Sequence, residues 1–160
     1  MHFVSKLQMM EGDPEIRCPK KWKEAVKLVE FAVQVCKLQH ELGGGFVFEH
    51  PQSASSLRKI PKLRELWGME GVVEAIAHMC EFGMKATDAQ GEGPVLKPTR
   101  FLTNIPAIAH ALSRRCTGCE RHVQLVGGKA KKAGIYPRQL VDAILDELER
   151  HSEESQGQLS

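Results

Sequence analysis

Gly43-Gly44-Gly45-Phe46-Val47-Phe48-Glu49-His50-Pro51 is the stretch whose reading decides the fold. A long helical pattern stops at the glycines and a short apolar run follows. That run exits in a carboxylate, an imidazole and a proline. Helix, glycine stop, buried strand and polar strand exit is the order expected of an open α/β sheet, where ligands bind beyond the carboxyl ends of the strands. Glu49 and His50 are therefore candidate site residues. The competing reading makes them only the polar exit of a core strand.

Upstream, Trp22, Ala25, Val26, Val29, Ala32, Val33, Cys36 and Leu42 fall at three- and four-residue spacings. They predict a helix over Lys20–Leu42 with one wide apolar face. Pro19 suits its first turn and Gly43 its end. Cys36 lies on the apolar face and reads as a core thiol.

Downstream, Pro51–Ser56 is a polar loop, and Pro61 opens a short helix, Lys62–Trp67, ended by Gly68. Val72–Met79 alternates small and branched residues. Its Ala, Glu and Met also favour a helix, but the bracketing Gly71 and Gly83 favour a strand. Thr87–Gly93 reads as a turn-rich loop and Arg100–Asn104 as a second strand, with Asn104 placed to cap a helix from about Pro106. Cys116–Gly128 is irregular in pattern. Pro137 opens a last helix in which Leu140, Val141, Ile144, Leu145 and Leu148 share a face. The chain thus divides into one α/β domain, residues 1–150, and a polar tail, 151–160, expected to be disordered.

At 160 residues, with 42% hydrophobic residues and a formal charge of +2, the chain can bury one core and is neither disordered nor collagen-like in composition. No apolar run approaches ~18 residues, so no membrane partner is expected. Met1–Met10 contains Lys6 and no apolar core or cleavage site, so no signal peptide is visible. The cysteines number five, an odd count that argues for free thiols in a reducing compartment, nucleus or cytoplasm.

The near-neutral charge hides a local imbalance. From Lys97 to Arg138 run Lys97, Arg100, Arg114, Arg115, Arg121, Lys129, Lys131, Lys132 and Arg138, with Glu120 the lone acid. A basic run of this length can attract nucleic-acid phosphates; it can equally be a solvated surface. Lys97-Pro98-Thr99-Arg100 adds two cations around a hydroxyl on a proline-fixed backbone, a usable phosphate-binding group. Lys97, Thr99, Arg100, Arg114, Arg115, Lys129, Lys131 and Lys132 are the candidate nucleic-acid contacts. Cys116-x-x-Cys119-x-x-His122 supplies three zinc ligands at workable spacing, with His110, Cys80 or His78 as the available fourth. The alternative is free thiols in a basic loop.

Three segments together resemble the DNA cytosine-5 methyltransferases. Phe48-Glu49-His50-Pro51 is similar to the family's Glu-Asn-Val or Glu-Asn-Pro signature after a strand. Cys80-Glu81-Phe82-Gly83, a loop, and Lys97-Pro98-Thr99-Arg100-Phe101-Leu102-Thr103-Asn104 resemble the Cys-x-[Tyr/Phe]-Gly and Lys-Pro-Thr-x-x-x-Thr-Asn pattern of phage-like members. Tyr136-Pro137-Arg138-Gln139-Leu140 is similar to the closing segment that returns to the cofactor side. Similar blocks occur in retrotransposon-type polyproteins of protists, whose Phe-Ser-x-Leu-Gln segment Phe3–Gln8 resembles.

The resemblance implies a partial Rossmann-like methyltransferase sheet with flanking helices, incomplete at the N-terminus. It implies DNA, or RNA, as partner and S-adenosylmethionine as cofactor, bound on the side of Tyr136 and Pro137. In the family a cysteine attacks C6 of a flipped cytosine while the signature glutamate, matched here by Glu49, holds N3. The departures are specific. The chain has no Pro-Cys pair, since Cys18 precedes Pro19 in reverse order. It has no glycine-rich cofactor loop, and His50 stands where the family has asparagine. The expected activity is therefore that of a truncated or degenerate copy, inactive alone, or of a fold completed by an upstream polypeptide. Two other readings stand beside it: a non-catalytic nucleic-acid-binding module and a small zinc-stabilised interaction domain.

Overall fold

A computed structural model describes residues 18–52, 56–125 and 135–157. The chain mixes helix and strand. Helix α1 (Pro19–Glu41) leads into strand β1 (Val47–Pro51), then short helices α2 (Ser56–Lys59) and α3 (Pro61–Trp67), then β2 (Val73–His78) and a 3-10 turn (Met79–Phe82). A hairpin follows, β3 (Lys85–Asp88) and β4 (Gly91–Pro94), then β5 (Pro98–Thr103), α4 (Pro106–Leu112) and finally α5 (Arg138–Gly157).

The glycine stop works as its composition predicts. Gly43 adopts φ +73°, a left-handed conformation that costs a residue without Cβ least. Its amide bonds the His40 carbonyl and the Gly44 amide reaches back to Gln39 at 2.7 Å. This is the paired closure that satisfies a helix's last carbonyls. Asn104 does not cap α4. Its Oδ1 accepts the Phe46 amide and its Nδ2 donates to the Gly44 carbonyl, so it clamps the α1–β1 connection to β5. The first free amide near α4, that of Ile105, goes to Thr103 Oγ1.

The main sheet has the order β1-β5-β2, with both pairings antiparallel. It follows that β1 and β2 run parallel to each other, joined by a helical crossover and separated by β5. Side chains alternate between the two faces. Phe48 and Leu102 face α1 and α3, where Trp22, Val29, Val33, Cys36, Leu57, Ile60, Leu63 and Leu66 complete one core. Ala75, Ala77 and Phe101 face the other way, into a core with Met79, Phe82, Ile105, Ile108, Leu112, Val123 and Leu140. Cys36 lies in the first core as expected, and burial pushes its thiol up to about 11.

Three local expectations are corrected. The strand predicted at Phe46–Phe48 runs on to Pro51, so Glu49 and His50 lie inside β1, opposite Phe101 and Arg100, not beyond its end. The turn-rich Thr87–Gly93 segment is the tip of the β3–β4 hairpin, with Gln90 N–H bonded to Asp88 Oδ1 across the turn. The last helix continues to Gly157, where a polar tail from His151 was expected. Its residues are good helix formers, and an Arg150–Glu147 pair at 2.7 Å spans one turn of it.

Candidate metal centre and the Glu49 pocket

Strand β2 delivers its last residue, His78, to the mouth of the second core, and the 3-10 turn that follows presents Cys80. The segment after α4 returns to the same place. The His78 amide donates to the Arg114 carbonyl at 2.8 Å, and the Cys116 amide donates to His78 Nδ1 at 3.0 Å. Between Cys116 and Cys119 the chain reverses at Gly118, whose φ of +134° L side chains rarely adopt. The exit is strapped as well. Arg121 holds Asp88 at 2.7 Å and the Gly91 carbonyl at 3.2 Å, and the Val123 amide bonds the Pro94 carbonyl while its side chain enters the core.

These constraints converge four ligand atoms. One each from Cys80, Cys116, Cys119 and His122 lie within 4.8 Å of one another. Cys116 Sγ stands 3.5 Å from Cys119 Sγ and 3.5 Å from His122 Nε2. A tetrahedral zinc with bonds of ~2.3 Å to sulfur requires sulfur–sulfur edges of about 3.7 Å. Three cysteine thiols and one imidazole are the donor types of a closed structural zinc site, and these four could hold such an ion. Burial lifts the Cys80 thiol to about 12, and its neighbouring thiols push the same way. A hydrogen bond from the Gly118 backbone draws Cys116 down.

Of the three residues available as a fourth ligand, Cys80 is the one brought in. His110 is exposed on α4, and His78 braces the Cys116 amide. The bond to His78 Nδ1 is donated by a backbone N–H, so that nitrogen carries no proton.

Glu49 and His50 do not share a site, because alternation sends them to opposite faces of the sheet. His50 is fully buried. Its Nδ1 donates to the Pro51 carbonyl at 2.9 Å and its Nε2 accepts from Ser56 Oγ at 2.9 Å. Burial pulls its pKa down to about 4, so it is a neutral, satisfied core histidine. Glu49, on the other face, bonds the Tyr136 hydroxyl near the Lys97 ammonium. Burial raises its pKa; the Tyr136 bond and Lys97 partly offset that. Lys97 itself sits 5.3 Å from the centre of the Tyr136 ring and is held at φ +28°, a strained value for a lysine before proline.

The candidate nucleic-acid contacts separate in the same way. Thr99 is fully buried and reaches no phosphate. Lys97 is engaged with Tyr136 and Glu49. Arg100 packs on Trp67 at 5.0 Å with its Nε 3.2 Å from Glu74 Oε2, an ion pair without hydrogen-bond geometry. Arg114 and Arg115 are exposed on the segment that enters the cysteine cluster, with the Arg114 guanidinium 4.8 Å from the Phe82 ring centre. Lys129, Lys131 and Lys132 lie outside the described residues. Tyr136 and Pro137, matched by resemblance to a cofactor side, form no free cradle, since the Tyr136 hydroxyl is spent on Glu49 and its ring is covered by Lys97.

Sequence reasoning missed the Tyr136–Glu49 bond and the Arg121–Asp88 strap. Each joins residues far apart in the chain, and no local spacing signals either. Fold and site together define a small mixed α/β domain with a three-cysteine, one-histidine cluster. No family model, no curated protein and no solved structure matches the chain. Among the described residues no helix is long and apolar enough to cross a membrane.

Proposed function

We propose that the chain is a zinc-stabilised, non-catalytic nucleic-acid-binding module. The observation that carries this reading is the convergence of Cys80, Cys116, Cys119 and His122 within 4.8 Å. Zinc held there would join the end of β2 to the irregular segment after α4 and add to the hydrogen bonds that already register it. Its binding energy is then folding energy for that segment. The segment so held carries Arg114 and Arg115, both exposed, and belongs to the stretch where bases outnumber acids. Backbone phosphate is the ligand such a surface serves, through charge and not through base reading. The test is metal content of protein purified without chelator, followed by nucleic-acid binding before and after metal removal. One zinc per chain and weaker binding by the stripped protein are expected; a metal-free protein with unchanged stability overturns the reading.

A second reading, descent from a methyltransferase-like domain of a mobile element, is favoured by two observations. β1 and β2 run in the same direction and are joined by a helical crossover, although each pairs only with β5, antiparallel, so the parallel pairing of a Rossmann-like sheet is not present. A carboxyl with a raised pKa inside β1 also suits the signature glutamate's role as donor to a ring nitrogen. The residues present do not fit S-adenosylmethionine, so no transfer step is derived. Labelled methyl transfer from S-adenosylmethionine to duplex DNA is expected to be absent. Transfer that a Cys18→Ser variant abolishes would restore an enzymatic reading.

A further inference from the structure

Helix α1 carries two apolar stripes, and the fold uses one. Trp22, Val29, Val33 and Cys36 are buried against the sheet. Leu28, Phe31, Val35, Leu38 and Leu42 are exposed, by 44%, 65%, 45%, 54% and 73%. At 100° per residue these five fall within one narrow sector, on the side of the helix away from the buried stripe. Their spacing alternates three and four, the a/d pattern of a helix that packs on another helix. Exposed apolar residues scattered singly mean little, but a continuous seam of four on one helix, extended by Leu42 at its C-cap, does not arise from core packing.

We propose that this seam joins two copies of the chain through an antiparallel α1–α1 contact. The flanking charges choose the occupant and the direction. With Leu28 as an a position, Lys27, Gln34 and Glu41 occupy successive g positions along one edge, and all are exposed. In an antiparallel pair each g residue faces a g residue of the other helix. Leu28 then layers on the second copy's Leu38 and Phe31 on its Val35. The same register sets Lys27 opposite Glu41 twice and Gln34 opposite itself at the two-fold axis. A parallel, in-register pair would instead stack Lys21, at an a position, on its own copy and gather Lys20, Lys23 and Lys27 of both chains at the N-terminal end, an accumulation of like charge. The opposite edge, Ala25, Ala32 and Gln39, is small or neutral and allows close approach. A two-fold contact of this kind is self-complementary, as closed dimers require.

The experiment is sedimentation equilibrium of the full chain with its metal, across a concentration series. A mass twice the 17.8 kDa of one chain is expected at the upper end. Leu38→Glu, at an exposed position, should give monomer with unchanged metal content and circular dichroism. Lys27→Glu should raise the dissociation constant roughly tenfold, and the added Glu41→Lys should return it. A wild-type chain that stays monomeric overturns the proposal and leaves the seam to a different partner. A dimer indifferent to Leu38→Glu, or weakened by Lys27→Glu and not rescued by the swap, overturns it too.

Discussion

The main-chain N–H of Cys116 donates to Nδ1 of His78 across 3.0 Å, while the His78 amide donates to the carbonyl of Arg114 at 2.8 Å. This reciprocal pairing registers the cysteine segment against the end of β2, two residues before Cys80. It brings the thiols of two distant segments side by side.

Zinc should therefore bind with one stoichiometric site, and the ligands should differ from their brace in severity. Cys80→Ser removes a thiolate, and cobalt substitution should show the sulfur charge-transfer band weakened in proportion. His78→Ala keeps all four ligands and should lower affinity by roughly 10–100-fold, as loss of an outer-shell partner does. Competition with a chromophoric chelator measures both. Equal, complete loss in the two variants would make His78 a ligand.

His50 should set an acid limit on stability. It is buried neutral, with its pKa drawn down to about 4 by burial, against an ordinary value of 6.5. Between those values the unfolded chain binds a proton that the folded chain does not. Stability is then complete above about pH 6.5 and falls by about 3 kcal/mol on acidification to about pH 4. Urea unfolding across that window should show the slope, and His50→Gln should flatten it relative to wild type. Parallel curves for the two proteins would remove His50 as the cause.

Glu49 and Tyr136 should respond unequally to loss. The folded carboxyl titrates above its ordinary range because of burial, so its contribution is fully present at low pH and lost as pH rises through the raised value. Glu49→Gln removes that loss and keeps the shape, so at neutral pH stability should stay within about 1 kcal/mol of wild type or rise. Tyr136→Phe strips the donor from a half-buried carboxylate and should cost roughly 1–3 kcal/mol. Urea midpoints at pH 7 for the two variants decide it; a heavy cost for Glu49→Gln would show the ionised form to be the stabilising one.

Nucleic-acid binding, measured by fluorescence anisotropy, should be weak and salt-dependent, with a log–log slope of roughly −4 for four or five phosphate contacts. Replacing Arg114 and Arg115 with glutamine should reduce the magnitude of that slope by about 2 and weaken all sequences alike. A slope unaffected by the double change would move the contact surface elsewhere.

The local pattern of the chain was sufficient for α1, its glycine stop, the strands around Phe48, Ile76 and Phe101, and the helix after Ile105. Each rests on periodicity or on a backbone conformation that a few neighbouring residues control. Cys116, Cys119 and His122 were legible for the same reason, since their spacing places three ligands on one segment. Tertiary structure alone could choose Cys80 over His78 and His110, because that choice depends on where β2 ends relative to a segment more than thirty residues on. It also separated Glu49 from His50. Adjacent in sequence, they read as one site until the strand ran past both and sent them to opposite faces, one to a tyrosine and a lysine, the other to a serine. Strand length and pairing register are properties of the partner strand, here β5, and no residue within the Gly43–Pro51 stretch encodes them.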